Sequence, residues 1–184
     1  MASKRKTIEI IRQFKNSNEQ VINLPFDGIH NDASQHWHDF LGDSWWNLIK
    51  KGVVMAISRN LPSGKFKNML LRSIGVKIGQ RVFIASTVAL DLQFPELITI
   101  EDGVIIGMGA HIATHEVTHT HIRLGKVHIG KNALIGGQST VRSGVNIGEN
   151  AVVALRAFVT ESVPDNTLVT GVPDRKVVEL HNPV

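Results

Sequence analysis

The chain of 184 residues contains no cysteine. Disulfides, thiolate nucleophiles, thiolate metal sites and a cysteinyl acyl-enzyme are therefore excluded, and any nucleophile or base must be another side chain. Aromatic residues make up only 5% of the chain, and its basic residues are scattered. A net charge of +4 and a basic pI suit an anionic partner such as a phosphorylated cofactor. They give no footprint for nucleic acid. Long apolar runs are missing too. The first thirty residues hold no apolar stretch of seven, unlike a secretory signal, and the longest patch, GVVMAIS at 52–58, is far too short to span a bilayer. A cytoplasmic location is the expectation. The length fits one domain with a sizeable core, or a domain with a smaller cap.

What the chain does have is a repeat of six. In VHIGKNALIGGQSTVRSGVNIGENAVVALRAFVTESVP, residues 127–164, an aliphatic residue returns at Ile129, Ile135, Val141, Ile147, Val153 and Val159. The phase continues backwards through Ile112, Ile106 and Ile100, then Leu90, Ile84 and Ile78. Six matches neither the 3.6 period of a helix nor the 2 of a strand. Four residues after each aliphatic stands a small or β-branched residue, broken only at Phe94 and Glu116. This is the hexapeptide pattern of a parallel β-helix: a short strand and a corner per hexapeptide, three per triangular coil, coils about 4.8 Å apart. The twelve positions divide into four coils. The phase slips twice, after Leu90 and after Ile112, each time past the third strand of a coil. The insertions DLQFPELIT and ATHEVTHTHIRLGKVH therefore leave the prism at the same corner, one coil apart, which is the first place to expect a binding face.

The hexapeptides, the loop opening IATHE, the following VHIGKNALIGG and the close VTESVPDNTLVTGVPDRKV resemble the hexapeptide acyltransferases, the left-handed β-helix family that includes galactoside, maltose and xenobiotic O-acetyltransferases. The resemblance covers roughly residues 74–178. It implies acyl transfer from a coenzyme A thioester to a hydroxyl, less often an amine, in a homotrimer whose active sites lie between neighbouring prisms. It implies no metal.

Such a transfer needs a base for the attacking hydroxyl, and histidine suits that task at neutral pH. His115 stands at the root of the long insertion, and the resemblance makes the histidine of the TH opening the base. Asp91, the first residue after the aliphatic at the same corner one coil earlier, is expected to polarise it or to hold the acceptor. Ser86 stands where the sugar enzymes often have an acceptor-binding asparagine. The bland readings are a solvated loop histidine for His115 and a plain turn carboxylate for Asp91. For the donor, the resemblance picks out Gly136, Gly137, Leu155, Thr160 and Arg175 along a groove between prisms. Arg156 adds a cation near the nucleotide end, where Glu161 replaces the usual lysine. The resembling enzymes also often carry tryptophan where Leu134 stands.

Two other function classes stay open. One is a catalytically silent β-helix for assembly or ligand binding. The other is a metal lyase like the γ-class carbonic anhydrases, for which His111, His115, His119 and His121 have ligand-like spacing. His119 and His121 otherwise read as polar loop residues.

The region before the repeat reads as helical. Leu41, Trp45, Leu48, Ile49 and Met55 to Ile57 fall near helical spacing, with Asp43 or Ser44 as a cap, and LPSG breaks the pattern. These helices are expected to cover the open edge of the first coil, with Trp45 and Trp46 as core or cap residues. The alternative is a helix on a membrane surface, with Lys50, Lys51 and Arg59 toward headgroups. The expected organisation is a helical cap over 1–73, the β-helix over 74–170, and a tail over 171–184 that folds back or packs on a neighbour.

Overall fold

The computed structural model describes residues 2–25, 45–118 and 120–171. Helix α1 (Ala2–Asn16) and strand β1 (Val21–Pro25) come first, followed by helices α2 (Trp45–Asn60) and α3 (Lys65–Arg72). From Lys77 onward the chain winds as a parallel β-helix. Its first face stacks β2 (Lys77–Ile78), β5 (Ile98–Ile100), β10 (Val127–Ile129) and β13 (Asn146–Ile147). Its second stacks β3 (Phe83–Ile84), β6 (Ile105–Ile106), β11 (Leu134–Ile135), β14 (Val152–Val153) and β16 (Leu168–Val169). Its third stacks β4 (Ala89–Leu90), β7 (His111–Ile112), β12 (Thr140–Val141) and β15 (Phe158–Val159).

The period of six follows from this geometry. Most strands are so short that one inward residue fills them, β5 and β10 carrying two, and the register sets each inward residue on its equivalent in the next coil. Ile84 lies against Ile106, Ile106 against Ile135, and Ile135 against Val153, all fully buried. The four coils read from the repeat are present. A fifth begins beyond them, with Val163 bridging Ile147 and β16 pairing with β14. Val163 and Val169 keep the spacing of six, but Val163 follows Val159 by only four residues, so the phase shift hid the turn.

Corners between the first and second faces turn through a left-handed residue in every coil: Arg81, Gly103, Asn132, Asn150 and Asn166. Asparagine tolerates that conformation better than most residues. The three asparagines also form a ladder, Asn132 Nδ2 donating to Asn150 Oδ1 at 3.4 Å and Asn150 Nδ2 to Asn166 Oδ1 at 3.1 Å. At the next corner the coils approach so closely that a Cβ on Gly136 would stand 2.6 Å from Ala154 C and Leu155 N. Gly136→Ala is expected to destabilise the prism by about 1–3 kcal/mol, the usual cost of overpacking. The check is a lower urea midpoint at unchanged slope; an unshifted midpoint would mean the coils part there without cost.

Among the described residues no strand lies above the first coil, and side chains from α3 and from the connection before it take up backbone hydrogen bonds there. Asn68 Nδ2 donates to Val82 O at 2.9 Å, Lys67 Nζ to Ala85 O at 2.6 Å, and Arg72 to the carbonyls of Ile78 and Gly79. Ser63 Oγ accepts from Ile84 N. An unpaired edge is thereby closed to strand addition.

Trp45 and Trp46 are not part of this cover. They are 70% and 78% exposed, because the side of α2 that meets the prism carries Lys51, Val54 and Ser58 instead. Lys51, which the membrane-surface alternative set toward headgroups, is buried and donates to Gln93 O at 2.9 Å. Leu41, Asp43, Ser44 and the tail beyond Gly171 lie outside the described residues.

The long insertion is a β-hairpin, β8 (His115–Val117) and β9 (His121–Gly125). Strand β1 pairs antiparallel with β9, Val21 opposite Gly125 and Pro25 opposite His121, making a three-stranded sheet. Beneath it lies a second apolar core in which Ile11 and Phe14 of α1 and Leu24 of β1 meet Phe94 and Leu97 of the first insertion and Ile122 and Leu124 of β9. The N-terminal segment thus braces the two insertions against each other.

Candidate active site

Both insertions leave the prism at the corner between its third and first faces. Asp91 follows β4 directly and folds the first insertion around itself. Its Oδ1 accepts from the amides of Gln93 at 2.9 Å and Phe94 at 3.2 Å, an Asx turn. A 3-10 turn, Pro95–Leu97, then returns the chain to β5. One coil further, β7 ends at Ile112 and the hairpin starts. There the amides of Thr114 and His115 donate to Asp91 Oδ2 at 2.9 and 3.2 Å. The same oxygen receives the ring Nδ1 of His115 at 2.6 Å.

This carboxylate is one of the most heavily engaged groups in the protein, with a side chain only 2% exposed. Burial pushes the Asp91 carboxyl up, but the hydrogen bond and charge of His115, with the amides of Thr114 and Phe94, outweigh burial and hold it at about 2. An ionised Asp91 accepts the proton on Nδ1 and fixes the imidazole tautomer with its lone pair on Nε2, the arrangement a base requires. The edge-on ring of Phe94, 5.9 Å between centroids at 68°, limits rotation of His115 from the other side. The His115 side chain keeps 21% of its surface exposed.

The hairpin's footing is ionic. Glu116 receives Arg142 in a bidentate pair, Nε at 2.9 Å and Nη2 at 2.8 Å, and also the hydroxyl of Ser143. Arg123, on the paired strand, reaches Ser143 Oγ at 3.2 Å. Although burial pushes the Glu116 carboxyl up, Arg142, Ser143 and Arg123 together hold it below the usual carboxylate range. Arg142 follows Val141 at the same corner one coil on, so the hairpin that carries His115 is clamped to the prism beneath it. Neither Glu116 nor Arg142 was singled out by sequence. The available signal was that Phe94 and Glu116 alone interrupt the pattern of small residues, and both turn out to build this site.

The remaining candidate residues are distributed as follows. Asp91 and His115 are brought together. Asp91 is so enclosed that its carboxylate is not presented to an acceptor, and the substrate-binding role expected beside its positioning role has no support in this placement. Ser86, Gly136, Gly137, Leu155 and Arg156 share the corner between the second and third faces. Leu155 is 68% exposed, and Arg156 Nε donates to Gln138 Oε1 at 2.7 Å. Thr160 follows Val159 at the His115 corner, in the same column as Asp91 and Arg142. Arg175 and His119 lie outside the described residues. His111 projects outward from β7, His121 is bonded to Thr118 and Thr120 at the hairpin tip, and His128 pairs with Glu101 on the first face. Among the described residues, no three of His, Cys, Asp or Glu come together as metal ligands.

Residues 126–155 match the sequence profile of a family described as "Hexapeptide repeat of succinyl-transferase". The Bacillus subtilis protein named "Putative acetyltransferase YvoF" is 35% identical over 144 residues, 78% of this chain and 84% of that one. The chain belongs to the hexapeptide-repeat acetyltransferases. The galactoside O-acetyltransferase of Escherichia coli is 32% identical to this acetyltransferase over 92 residues, 46% of this chain and 45% of that one. Two solved structures share the fold: a hexapeptide-repeat acetyltransferase from Vibrio cholerae, with a TM-score of 0.57 at 21% identity over 74% of this chain and 92% of that one, and a galactoside acetyltransferase in complex with coenzyme A, with 0.55 at 19% over 73% and 80%. The prism of this acetyltransferase is accordingly the left-handed parallel β-helix. Among the described residues no helix is long and apolar enough to cross a membrane.

Proposed function

We propose that this acetyltransferase moves an acetyl group from acetyl-CoA to a hydroxyl of a sugar or sugar-like acceptor, with His115 as general base. The observation that carries the reading is the His115–Asp91 pair, an oriented imidazole at the root of a clamped hairpin. The acceptor hydroxyl gives its proton to Nε2 as its oxygen attacks the thioester carbonyl. The C–S bond then breaks, and the imidazolium returns the proton to the departing sulfur. Asp91 acts through the ring as a positioning residue, holding Nδ1 and favouring the imidazolium. A hydroxyl acceptor is supported by the galactoside O-acetyltransferase among the relatives. Thiol release from acetyl-CoA against a panel of sugars tests the reading. Release no faster with any acceptor than without would count for the silent β-helix instead.

The placement of the donor residues supports an assembly with three active sites between copies. Of the donor candidates, Gly136, Gly137, Leu155 and Arg156 lie one face away from His115, as does the acceptor candidate Ser86, whereas Thr160 shares the His115 corner, so in a single prism most of the donor positions do not meet the base. They would meet where that corner of one copy faces the His115 corner of the next. The second face supplies a contact surface: Phe83, Ile105, Leu134 and Leu168 project from the first, second, third and fifth coils and are 37–63% exposed. Dilution is therefore expected to abolish the homotrimer and the activity at the same concentration, followed by light scattering beside the assay. A fully active monomer would end this arrangement.

Coenzyme A would lie along that junction with its phosphates toward Arg156, and Arg175 and the exposed Glu161 are the sequence's other candidates for that end. Glu161→Lys should tighten acetyl-CoA binding several-fold at low salt and less at high salt, since the charge is exposed and screened. Calorimetric titration at two salt concentrations reads this directly, and an unchanged affinity at low salt would displace the nucleotide end from Glu161.

A further inference from the structure

Helices α2 and α3 meet the core through Val54, Met55, Leu70 and Leu71, yet carry most of their large apolar residues on the side away from it. In α2 the buried residues are Lys51, Val54 and Ser58, whereas Trp45, Trp46, Ile49, Val53 and Ile57 are 47–78% exposed. In α3 the buried residues are Lys67, Asn68 and Leu71, whereas Phe66 and Met69 are 58% and 54% exposed. Trp45, Ile49, Val53 and Ile57 recur every fourth residue and form one ridge along α2. A helix covering a core in water has the opposite arrangement. The polar inner side has a cause, since Lys51, Lys67 and Asn68 bond to carbonyls of the insertion and the first coil. Among the described residues nothing requires the apolar outer side, and exposed patches of this kind mark contact surfaces.

Charge identifies what the surface fits. Between Trp45 and Leu90 there is no Asp or Glu at all, so the remainder of the chain is net negative. Besides the buried Lys51 and Lys67, the two helices expose Lys50, Arg59, Lys65 and Arg72, of which Lys50 bonds the Ser73 carbonyl and Arg72 those of Ile78 and Gly79, while Lys77 and Arg81 are exposed on the adjoining first coil. Two copies meeting through this face would set like charges against each other. An anionic lipid surface complements both features, taking tryptophan and aliphatic side chains at the acyl boundary and cations at the phosphates. We infer that the outer face of α2 and α3 docks this protein on an anionic membrane surface. The inference does not rest on the acetyl-transfer reading.

The test uses the full chain with vesicles of phosphatidylglycerol and phosphatidylcholine, and with vesicles of phosphatidylcholine alone. The three tryptophans are Trp37, Trp45 and Trp46, so in Trp37→Phe the indole emission reports this face. Co-sedimentation with the anionic vesicles and a blue shift of that emission are expected, both fading toward about 1 M salt, where screening reaches about 3 Å. Ile49→Glu with Val53→Glu should weaken partitioning by roughly tenfold or more, and Lys65→Ala by roughly fivefold. Circular dichroism should be unchanged, because all three positions are exposed. No binding to anionic vesicles, equal binding to neutral ones, or parental binding by the double variant would overturn the inference. So would an indole emission already typical of a buried ring without vesicles, or a changed molecular mass in the double variant, because the face would then be covered by protein.

Discussion

His115→Ala is expected to fold and assemble as the parent does and to turn over roughly 10²- to 10⁴-fold more slowly, the range for loss of a general base. The ring is partly exposed and packs edge-on against Phe94, so its removal opens no sealed cavity. Asp91 keeps four backbone amides when the imidazole is gone, so the turn it organises should persist. Acetyl-CoA binding should be retained, because the proposed donor residues Gly136, Gly137, Leu155 and Arg156 lie one face away. The informative measurement is turnover with affinity for acetyl-CoA measured separately: kcat should fall while Kd holds. A rate within threefold of the parent would remove His115 from the mechanism, whatever the fate of the other residues.

Asp91→Ala should do more, because Asp91 holds the site together as well as orienting the base. Its loss strands the amides of Gln93, Phe94, Thr114 and His115 in an enclosed corner, and breaking a buried charged pair typically costs about 3–5 kcal/mol. Activity should fall at least as far as in His115→Ala, since the imidazole loses its tautomer and its aim. The pH dependence separates this from a merely structural loss. With a folded-state value of about 2 against about 3.9 in an unfolded chain, the ionised carboxylate stabilises the fold above the higher value. That contribution is lost as pH falls through the interval to the lower value, and amounts to something on the order of 2 kcal/mol. Urea midpoints of Asp91→Asn should therefore be flatter across about pH 4 to 2 than those of the parent. Parallel curves would show that Asp91 titrates alike in both states.

Much of this fold is legible because the β-helix is a local code. An inward aliphatic every six residues sets the coils, and the two slips of phase mark one corner, where Asp91 and His115 were expected together and are found 2.6 Å apart. The features that escaped have non-local causes. Nothing near Val21 signals a partner at Gly125, since an edge strand's pairing depends on what the rest of the chain leaves open. The inverted faces of α2 and α3 escaped because the first coil's backbone calls for polar side chains such as Asn68, a need invisible to hydrophobic periodicity. Glu116 was visible only as an irregularity, and its meaning depends on Arg142 arriving from the next coil.

The pairing of β1 with β9 also fixes an order of events in the making of the protein. Each coil can lay down on its predecessor through contacts close in sequence, so the prism can grow as the chain leaves the ribosome, from the first hexapeptide toward the last. Strand β1 is synthesised before any of it, yet its partner does not exist until Gly125 has emerged. The earliest residues must therefore wait, and the sheet that backs the hairpin closes only after the second coil is complete. The His115 hairpin is thus braced late in a fold that otherwise grows from one end.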